Sequence, residues 1–321
     1  MILSVEKLSI RLPFAGSLRS VVRELSFSVS AGEMLGIVGE SGCGKSLTNL
    51  ALIGLLPSHA VVSASRLELC GQDLLALKSA NDWRRVRGRS VAMIFQNPMS
   101  SLNPALTIGM QLSEAVNLVN PALSRAEVRE TVLELLDQVG IPLPETRIVA
   151  YPHEFSGGMA QRVMIAMALA LKPKLLIADE PTTALDVTTQ RQIMDLIVQL
   201  SDERSMAVML VSHDIGLVSA YADRIQVMYA GELVESGPAP LVIGQPRHPY
   251  TQGLVASQPG CGARTRKTLL PAIGGQVPGI DINIAGCLFA GRCPVVEDQC
   301  TATQNLRHPV EQADVLVRCH R

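Results

Sequence analysis

The 321-residue sequence predicts an α/β protein in which helices cover a largely parallel sheet. Over roughly the first 240 residues, short apolar runs of strand length alternate with segments of helical spacing, a pattern typical of βαβ units. The pattern ends near residue 245, and the remaining 77 residues hold seven prolines and eight glycines. We therefore predict two regions, residues 1–244 and residues 245–321, of which the second is a separate and irregular extension.

The individual elements follow from periodicity and from turn residues. Apolar runs predict buried strands at 33–39, 91–95, 175–178 and 207–212. Helical spacing predicts helices over 45–56, where Pro57 ends the pattern, over 124–139 and over about 187–202. One face of the second helix carries Val128, Val132, Leu135, Leu136 and Val139. Residues 224–237 predict a hairpin with its turn near Gly231.

The composition argues against several classes of function. The formal net charge is −1 and only 3% of the residues are aromatic, so no nucleic-acid partner and no anionic membrane surface are expected. The first ten residues do not resemble a secretion signal, and no apolar run reaches the about 20 residues that span a bilayer. We expect a cytosolic protein with reduced cysteines, yet five of the seven cysteines follow residue 260.

The stretch GESGCGKS, residues 39–46, predicts a phosphate-binding loop. It fits the pattern G-x-x-x-x-G-K-[ST], follows a predicted strand and opens a predicted helix. The glycines let backbone N–H groups surround a polyphosphate, and the helix N-terminus adds partial positive charge. Lys45 is expected to reach the β- and γ-phosphates, and Ser46 to bind Mg²⁺. The nucleotide-binding residues predicted from this loop are Gly39, Ser41, Gly42, Gly44, Lys45 and Ser46.

Two carboxylates, Asp179 and Glu180, follow the apolar run at 175–178. The end of a buried strand beside a phosphate loop is the expected place for an acid that binds Mg²⁺, which suits Asp179. Glu180, one residue further on, could orient and deprotonate an attacking water. The sequence therefore predicts a nucleoside triphosphatase.

Further motifs resemble those of ATP-binding subunits of ABC transporters. FSGGMAQR at 155–162 resembles the signature segment of that family, with Phe155 and Met159 in place of the commoner leucine and glutamine. Gln96 lies where the family has its Q-loop glutamine, ALD at 184–186 resembles the D-loop, and His213 matches the switch histidine. The resemblance covers roughly residues 1–240 and implies a P-loop ATPase core with an antiparallel β subdomain and a helical subdomain at about 97–165.

The same resemblance implies roles for these residues. Ser156, Gly157 and Gly158 would contact the γ-phosphate of ATP bound to a partner subunit. Gln96 would contact Mg²⁺ or the attacking water, and His213 the γ-phosphate. Family members stack the adenine on an aromatic ring near the N-terminus, for which Phe14 is the candidate, since Leu12 occupies the aligned position.

The segments QNPMSSLNP, DEPTTALDVTTQ and HPYTQGL resemble the ATPases of dipeptide, oligopeptide and nickel importers in particular. The last four cysteines of the sequence all lie in the C-terminal region, after residue 286. Four thiolates together form a soft site that suits zinc or an iron–sulfur cluster. Resemblance to the dipeptide-importer ATPases implies a [4Fe–4S] cluster, with Zn²⁺ or free thiols as alternatives, while Cys70 and Cys261 stay unassigned. The candidate ligands are Cys287, Cys293, Cys300 and Cys319.

We therefore interpret the sequence as the MgATP-hydrolysing subunit of a peptide importer. The resemblance implies a homologous second ATPase as dimer partner, two membrane permease subunits and an extracytoplasmic substrate-binding protein. It places the chain on the cytoplasmic face of a bacterial inner membrane. A nickel or metal-chelate importer is the alternative, and a non-transport ABC protein is disfavoured because the chain has one cassette and no sustained heptads.

Overall fold

A computed structural model describes residues 1–183, 185–258, 271–282, 284–309 and 312–321. The strands are β1 (Leu3–Phe14), β2 (Ser17–Val29), β3 (Met34–Val38), β4 (Val61–Ser63), β5 (Arg66–Leu69), β6 (Gln72–Asp73), β7 (Val91–Ile94), β8 (Leu175–Asp179), β9 (Ala207–Ser212), β10 (Arg224–Tyr229), β11 (Glu232–Pro238) and β12 (Leu316–Val317). The helices are α1 (Lys45–Leu52), α2 (Ala80–Val86), α3 (Pro98–Ser101), α4 (Ile108–Val119), α5 (Arg125–Gln138), α6 (Pro144–Arg147), α7 (Gly157–Ala170), α8 (Val187–Arg204), α9 (Ile215–Tyr221), α10 (Ala239–Gly244) and α11 (Pro249–Ala256). Short 3₁₀ helices lie at Pro152–Glu154, Ala290–Arg292 and Asp298–Thr301.

The main sheet has the strand order β12-β11-β10-β3-β9-β8-β7 within the described residues. Strands β10, β3, β9, β8 and β7 run parallel, whereas β11 pairs antiparallel with β10 and β12 with β11. Every residue of β3, β8 and β9 is buried, as expected for parallel strands covered on both faces. The predicted α/β fold is confirmed, and the carboxyl ends of the parallel strands meet at one edge of the sheet.

A second, antiparallel sheet has the order β2-β1-β5-β6, with β4 paired to β1. Its buried face packs against one face of the main sheet. The shared buried cluster includes Leu8, Ile10 and Leu25 together with Ile37 of β3. The hairpin predicted at 224–237 is confirmed as β10 and β11, with Gly231 in the left-handed region at its turn.

A helical region lies between β7 and β8. The predicted helix at 124–139 is confirmed as α5, which begins with a capping box of Ser124 and Glu127. The apolar residues predicted on its inner face are buried against the neighbouring helices α4 and α7: Val128, Val132, Leu135, Leu136 and Val139. None of the helices in the described part of the chain combines the length and the apolar character needed to cross a membrane.

Several predicted elements are one to four residues shorter in the structure, among them the helix after residue 44 and the strand before Gln96. The helix predicted over 45–56 ends at Leu52, because Gly54 is left-handed at φ 62 and the Trp83 ring packs against its Cα. The strand predicted over 91–95 ends at Ile94, so that Gln96 lies in the segment after it rather than at the strand end.

The tail is not separate from the sheet, contrary to the sequence prediction. Strand β12 pairs with β11, and Tyr250, Leu288 and Phe289 belong to the same buried cluster as the sheet and the helical region. These contacts join residues that are distant in sequence and follow no local period. The tail is therefore attached to the main sheet, and the domain boundary at residue 245 stays a prediction from composition.

A buried carboxylate links the start of the tail to β11. Glu235 is fully buried and accepts hydrogen bonds from the backbone N–H groups of Arg247 (2.8 Å) and His248 (2.9 Å). Burial lowers the pKa of His248 to about 3, so its ring is neutral and Nδ1 can accept the N–H of Tyr250 at 3.1 Å. The stretch around His248 is thus a structural connection.

We expect Glu235→Ala to lower the free energy of unfolding by about 2–4 kcal/mol, because two buried N–H donors lose their acceptor. Urea denaturation followed by circular dichroism measures the change. The matched control is Glu130→Ala at an exposed position of α5, which should stay within about 0.5 kcal/mol of wild type. Equal stability of the two variants would contradict the role of Glu235.

Candidate nucleotide site

The predicted site residues converge on the edge of the main sheet where the parallel strands end. Residues 39–44 connect β3 to α1 at the centre of this edge. Asp179 ends β8, with Glu180 directly after it, and His213 directly follows β9. Ligand sites of open α/β sheets lie at this edge, so the fold brings together residues from separate parts of the sequence.

The loop backbone requires glycine at two positions in particular. Gly44 has φ 99, and a Cβ there would lie 2.9 Å from the carbonyl oxygen of Val21. A Cβ on Gly39 would overlap the carbonyl oxygen of Met228 and lie 2.8 Å from Cys43 Sγ. Larger residues would push the loop away from the sheet.

Lys45 is buried at the first position of α1 and turns back onto the loop. Its ammonium donates to the carbonyl oxygens of Gly39 (2.5 Å) and Glu40 (3.1 Å). Ser41 and Gly42 are exposed on the outer side of the loop. An ammonium at a helix N-terminus, beneath an open glycine-rich loop, forms an arrangement that suits a polyphosphate.

Asp179 is a buried carboxylate beside the start of α1. Its Oδ1 has no hydrogen-bond partner among the residues that the structure describes. Burial raises the pKa of Asp179, while the nearby polar side chains of Ser46 and Asn49 oppose the rise. An unpaired buried oxygen next to a serine hydroxyl is the donor set that Mg²⁺ prefers, so the residues present fit this ion.

Glu180 lies at the centre of a polar cluster. Its carboxylate accepts hydrogen bonds from Gln96 Nε2 (2.6 Å) and Thr183 Oγ1 (3.1 Å), and His213 Nδ1 lies 3.0 Å from it. Burial alone would raise the pKa of Glu180, but the bonds to His213 and Thr183 outweigh it and lower the pKa. Its φ of 49 places a glutamate in the left-handed region, a strained conformation that clusters at functional sites. The arrangement provides an ionised carboxylate that can accept a proton.

Other predicted residues lie apart from this cluster. Ser156 caps α7 by accepting the N–H of Met159, and Gly157 and Gly158 form the first turn. No hydrogen bond joins this segment to residues 39–46 in the described portion of the chain. Phe14 is 42% exposed at the tip of the β1–β2 hairpin.

The D-loop prediction is described only in part. Asp186 caps α8 by accepting the N–H of Thr189, and Leu185 packs against the main cluster. Ala184 lies outside the described residues, as does Cys261.

Sequence reasoning missed several contacts of this site. Thr183 lies three residues after Glu180, a spacing that could have indicated it. Glu40, inside the loop, binds Arg292 and Tyr250 of the C-terminal region, which are more than 200 positions away. No local pattern could have indicated those pairs.

The four C-terminal cysteines lie near one another. The N–H of Cys287 donates to the carbonyl oxygen of Cys300 at 2.8 Å. Burial raises the pKa of the Cys287 thiol, and the nearby thiols of Cys300, Cys319 and Cys293 add to the rise. Within the described residues, however, no three His, Cys, Asp or Glu side chains are arranged so that they could hold a metal ion. The predicted metal-binding extension is therefore not supported.

Two protein families match the sequence. The ABC transporter family matches residues 22–183, and the family described as "Oligopeptide/dipeptide transporter, C-terminal region" matches residues 234–300. The dipeptide transport ATP-binding protein DppD of Escherichia coli K12 is 47% identical over 303 residues, which are 94% of this chain and 91% of the relative. The protein of the same name from Bacillus subtilis is 45% identical over 95% of this chain and 91% of its own length.

Solved structures share the fold of the ATPase core. CbiO1 from Clostridium perfringens, part of the ABC transporter complex cbiONQ, has a TM-score of 0.64 at 28% identity, covering 76% of this chain and 91% of that one. The cassette MJ0796, solved as a dimer bound to ADP and Pi, has a TM-score of 0.64 at 26% identity, covering 74% and 99%. Together with the relatives above, these matches establish that the chain belongs to the ABC transporter family, among the members that carry the oligopeptide/dipeptide transporter C-terminal region.

Proposed function

We propose that this chain is the ATP-binding and ATP-hydrolysing subunit of an importer for dipeptides or oligopeptides. The observation that carries the proposal is the cluster of Gln96, Glu180 and His213 beside the phosphate loop, at one edge of the sheet. A cluster with an ionised carboxylate, a histidine and an amide suits activation of a water next to a bound triphosphate.

The loop residues would bind the nucleotide. Backbone N–H groups of Gly42 and Gly44 would contact phosphate oxygens, and Lys45 would move its ammonium from loop carbonyls to the β- and γ-phosphates. Ser46 and Asp179 would hold Mg²⁺, with Gln96 as a further ligand. The metal ion, when bound, neutralises phosphate charge. Phe14 remains the candidate for stacking the adenine.

Glu180 would accept the proton of the attacking water. The bonds to His213 and Thr183 lower its pKa, so the carboxylate is ionised at neutral pH, which is the form that can accept a proton. Gln96, which donates to the same carboxylate at 2.6 Å, would orient the water, and His213 would contact the γ-phosphate.

The second half of the site would come from a partner subunit. Ser156 and Gly157 are exposed at the N-terminus of the 14-residue helix α7, and within the described residues no hydrogen bond joins this segment to the phosphate loop. In a dimer they could contact the nucleotide of the partner, as the resemblance implies. The partner would be a homologous ATPase.

A groove beside Gln96 supports docking to the permease subunits. It has a volume of about 510 Å³ and lies between the end of β7 and α7, away from the phosphate loop. Its lining is mostly apolar and includes Leu55, Met93, Phe95, Met164 and Met167. Exposed apolar surface of this kind suits a protein partner. Docking there would hold the chain at the cytoplasmic face of the membrane and place the Gln96 segment between ATP and permease.

The relatives favour peptides over nickel as the cargo. The relatives from Escherichia coli K12 and Bacillus subtilis, at 47% and 45% identity, are named dipeptide transport ATP-binding proteins, and a substrate-binding protein would deliver the peptide. The test is the cargo that co-purifies with the cognate binding protein, identified by mass spectrometry. Di- or oligopeptides are expected, and nickel or a nickel chelate would contradict the peptide assignment.

We expect Glu180→Gln to lower the rate of ATP turnover in the assembled transporter by about 10²-fold or more, because the amide cannot accept the proton. ATP binding should persist, and the ATP-bound dimer should accumulate. Phosphate release and size-exclusion chromatography measure the two effects. The control, Glu130→Gln, removes an exposed carboxylate of α5 and should hydrolyse at the wild-type rate. Near-normal hydrolysis by Glu180→Gln would remove Glu180 from its role.

Lys45→Ala should weaken MgATP binding by at least about tenfold, since the charged contacts to phosphate are lost. Isothermal titration calorimetry on the full chain measures the dissociation constant. Lys78→Ala, at an exposed lysine outside the site, is the matched control and should bind like wild type. Unchanged affinity in Lys45→Ala would contradict the phosphate-loop assignment.

We propose separately that Cys287, Cys293, Cys300 and Cys319 bind a metal centre, with a [4Fe–4S] cluster preferred over Zn²⁺. Four neighbouring thiols are suitable ligands for such a metal centre. Within the described residues, however, the side chains are not arranged as a metal site. A bound metal would stabilise the tail, because its binding free energy contributes to folding.

Anaerobic purification followed by iron, sulfide and zinc assays tests the metal centre. We expect about four irons per chain with absorption near about 400 nm, and loss of the iron in Cys293→Ser. Stoichiometric zinc would contradict the cluster. A folded chain with neither metal would contradict the metal centre altogether.

A further inference from the structure

Glu40 in the phosphate loop uses all of its polar groups, and two of them contact the C-terminal region. Its N–H donates to Tyr250 Oη at 2.9 Å, and its carboxylate accepts two hydrogen bonds from Arg292, at 2.7 and 3.0 Å. Its carbonyl oxygen accepts a bond from the Lys45 ammonium at 3.1 Å. Glu40, whose carbonyl oxygen binds the Lys45 ammonium, is therefore itself bound by residues of the C-terminal region.

Arg292 is a well-satisfied guanidinium at the end of a short 3₁₀ helix. Its side chain is only 7% exposed. Besides the fork on Glu40, its N–H groups donate to Tyr229 Oη (3.2 Å) and to the carbonyl oxygens of Ile273 (3.4 Å) and Gly274 (2.7 Å). All five guanidinium donors thus have acceptors. Such a geometry places one positive charge at a defined position beside the loop.

We propose that Arg292 is a positioning residue that sets the affinity of the phosphate loop for nucleotide. It neutralises the carboxylate of Glu40, which lies in a loop that binds anions. It also keeps this carboxylate away from the Lys45 ammonium. Without it, the Glu40 charge would repel the phosphates and would compete with them for the Lys45 ammonium. The inference rests on the proposed function, because it concerns the same nucleotide site.

The tail has other attachments, so the loss of Arg292 should not detach it. Strand β12 pairs with β11, and the buried carboxylate of Glu235 binds the N–H groups of Arg247 and His248. The Arg292 contact can therefore be tested in a folded chain. A role in folding and a role in nucleotide affinity become separable.

The test is Arg292→Gln in the full chain, titrated with MgADP in an isothermal calorimeter. We expect the dissociation constant to rise about tenfold, while the urea midpoint shows that the chain is folded. In the assembled transporter, KM for ATP should rise with kcat at saturation nearly unchanged, because Arg292 does not touch the reacting atoms.

The matched control is Arg224→Gln. Arg224 also pairs with a distant glutamate, Glu33, at 2.6 Å, but at the start of β3, the opposite end of the strand from the loop. This variant should bind MgADP like wild type, within about twofold. Equal weakening in both variants would indicate a general loss of stability and would overturn the proposal.

Rescue distinguishes charge balance from loss of a structural contact. The double variant Glu40→Gln/Arg292→Gln removes both charges and should recover MgADP affinity to within about threefold of wild type. Arg292→Lys keeps the charge without the fork and should be intermediate.

Wild-type affinity in Arg292→Gln, or no recovery in the double variant, would overturn the inference and leave the proposed function intact. A wild-type chain that did not bind MgADP would overturn both.

Discussion

The rest of the structure depends on the interaction between the buried ammonium of Lys45 and the loop that follows the central strand. Lys45 is only 6% exposed, and burial of a charge is costly unless polar groups surround it. The carbonyl oxygens of Gly39 and Glu40 supply part of that environment, and a bound phosphate would supply the rest. The loop can provide these carbonyls only because its glycines pass close to the backbone of Val21 and Met228.

Parallel strands explain how the remaining groups reach this ammonium. The carboxyl ends of β3, β8 and β9 lie side by side, so residues that follow them meet although the sequence separates them. Glu180 thereby comes within hydrogen-bond distance of His213, 33 positions later, and of Gln96, 84 positions earlier. The helical region between Gln96 and β8 contacts the site through the hydrogen bond from Gln96 to Glu180, and it packs with the main sheet in one buried cluster.

The local parts of this arrangement could be predicted from the sequence, and the long-range parts could not. The strand and helix that flank residues 39–46, the apolar strands and the helix at 124–139 follow from patterns over a few residues, and the structure confirms them. The end of α1 was predicted too late because Trp83, far along the chain, packs on Gly54. The tail was predicted as separate because its prolines and glycines hide the pairing of β12 with β11 and the contact of Arg292 with Glu40. Such pairings depend on where distant segments meet, which periodicity does not encode.

The most direct test of the nucleotide site is a crystal structure of the full chain grown with MgADP. We expect the diphosphate to lie against the N–H groups of residues 42–46, with Lys45 Nζ moved from the loop carbonyls to the β-phosphate. Mg²⁺ should lie next to Ser46 Oγ, on the side that faces Asp179. A nucleotide bound elsewhere, or Lys45 still on the carbonyls of Gly39 and Glu40 beside a bound diphosphate, would contradict this expectation.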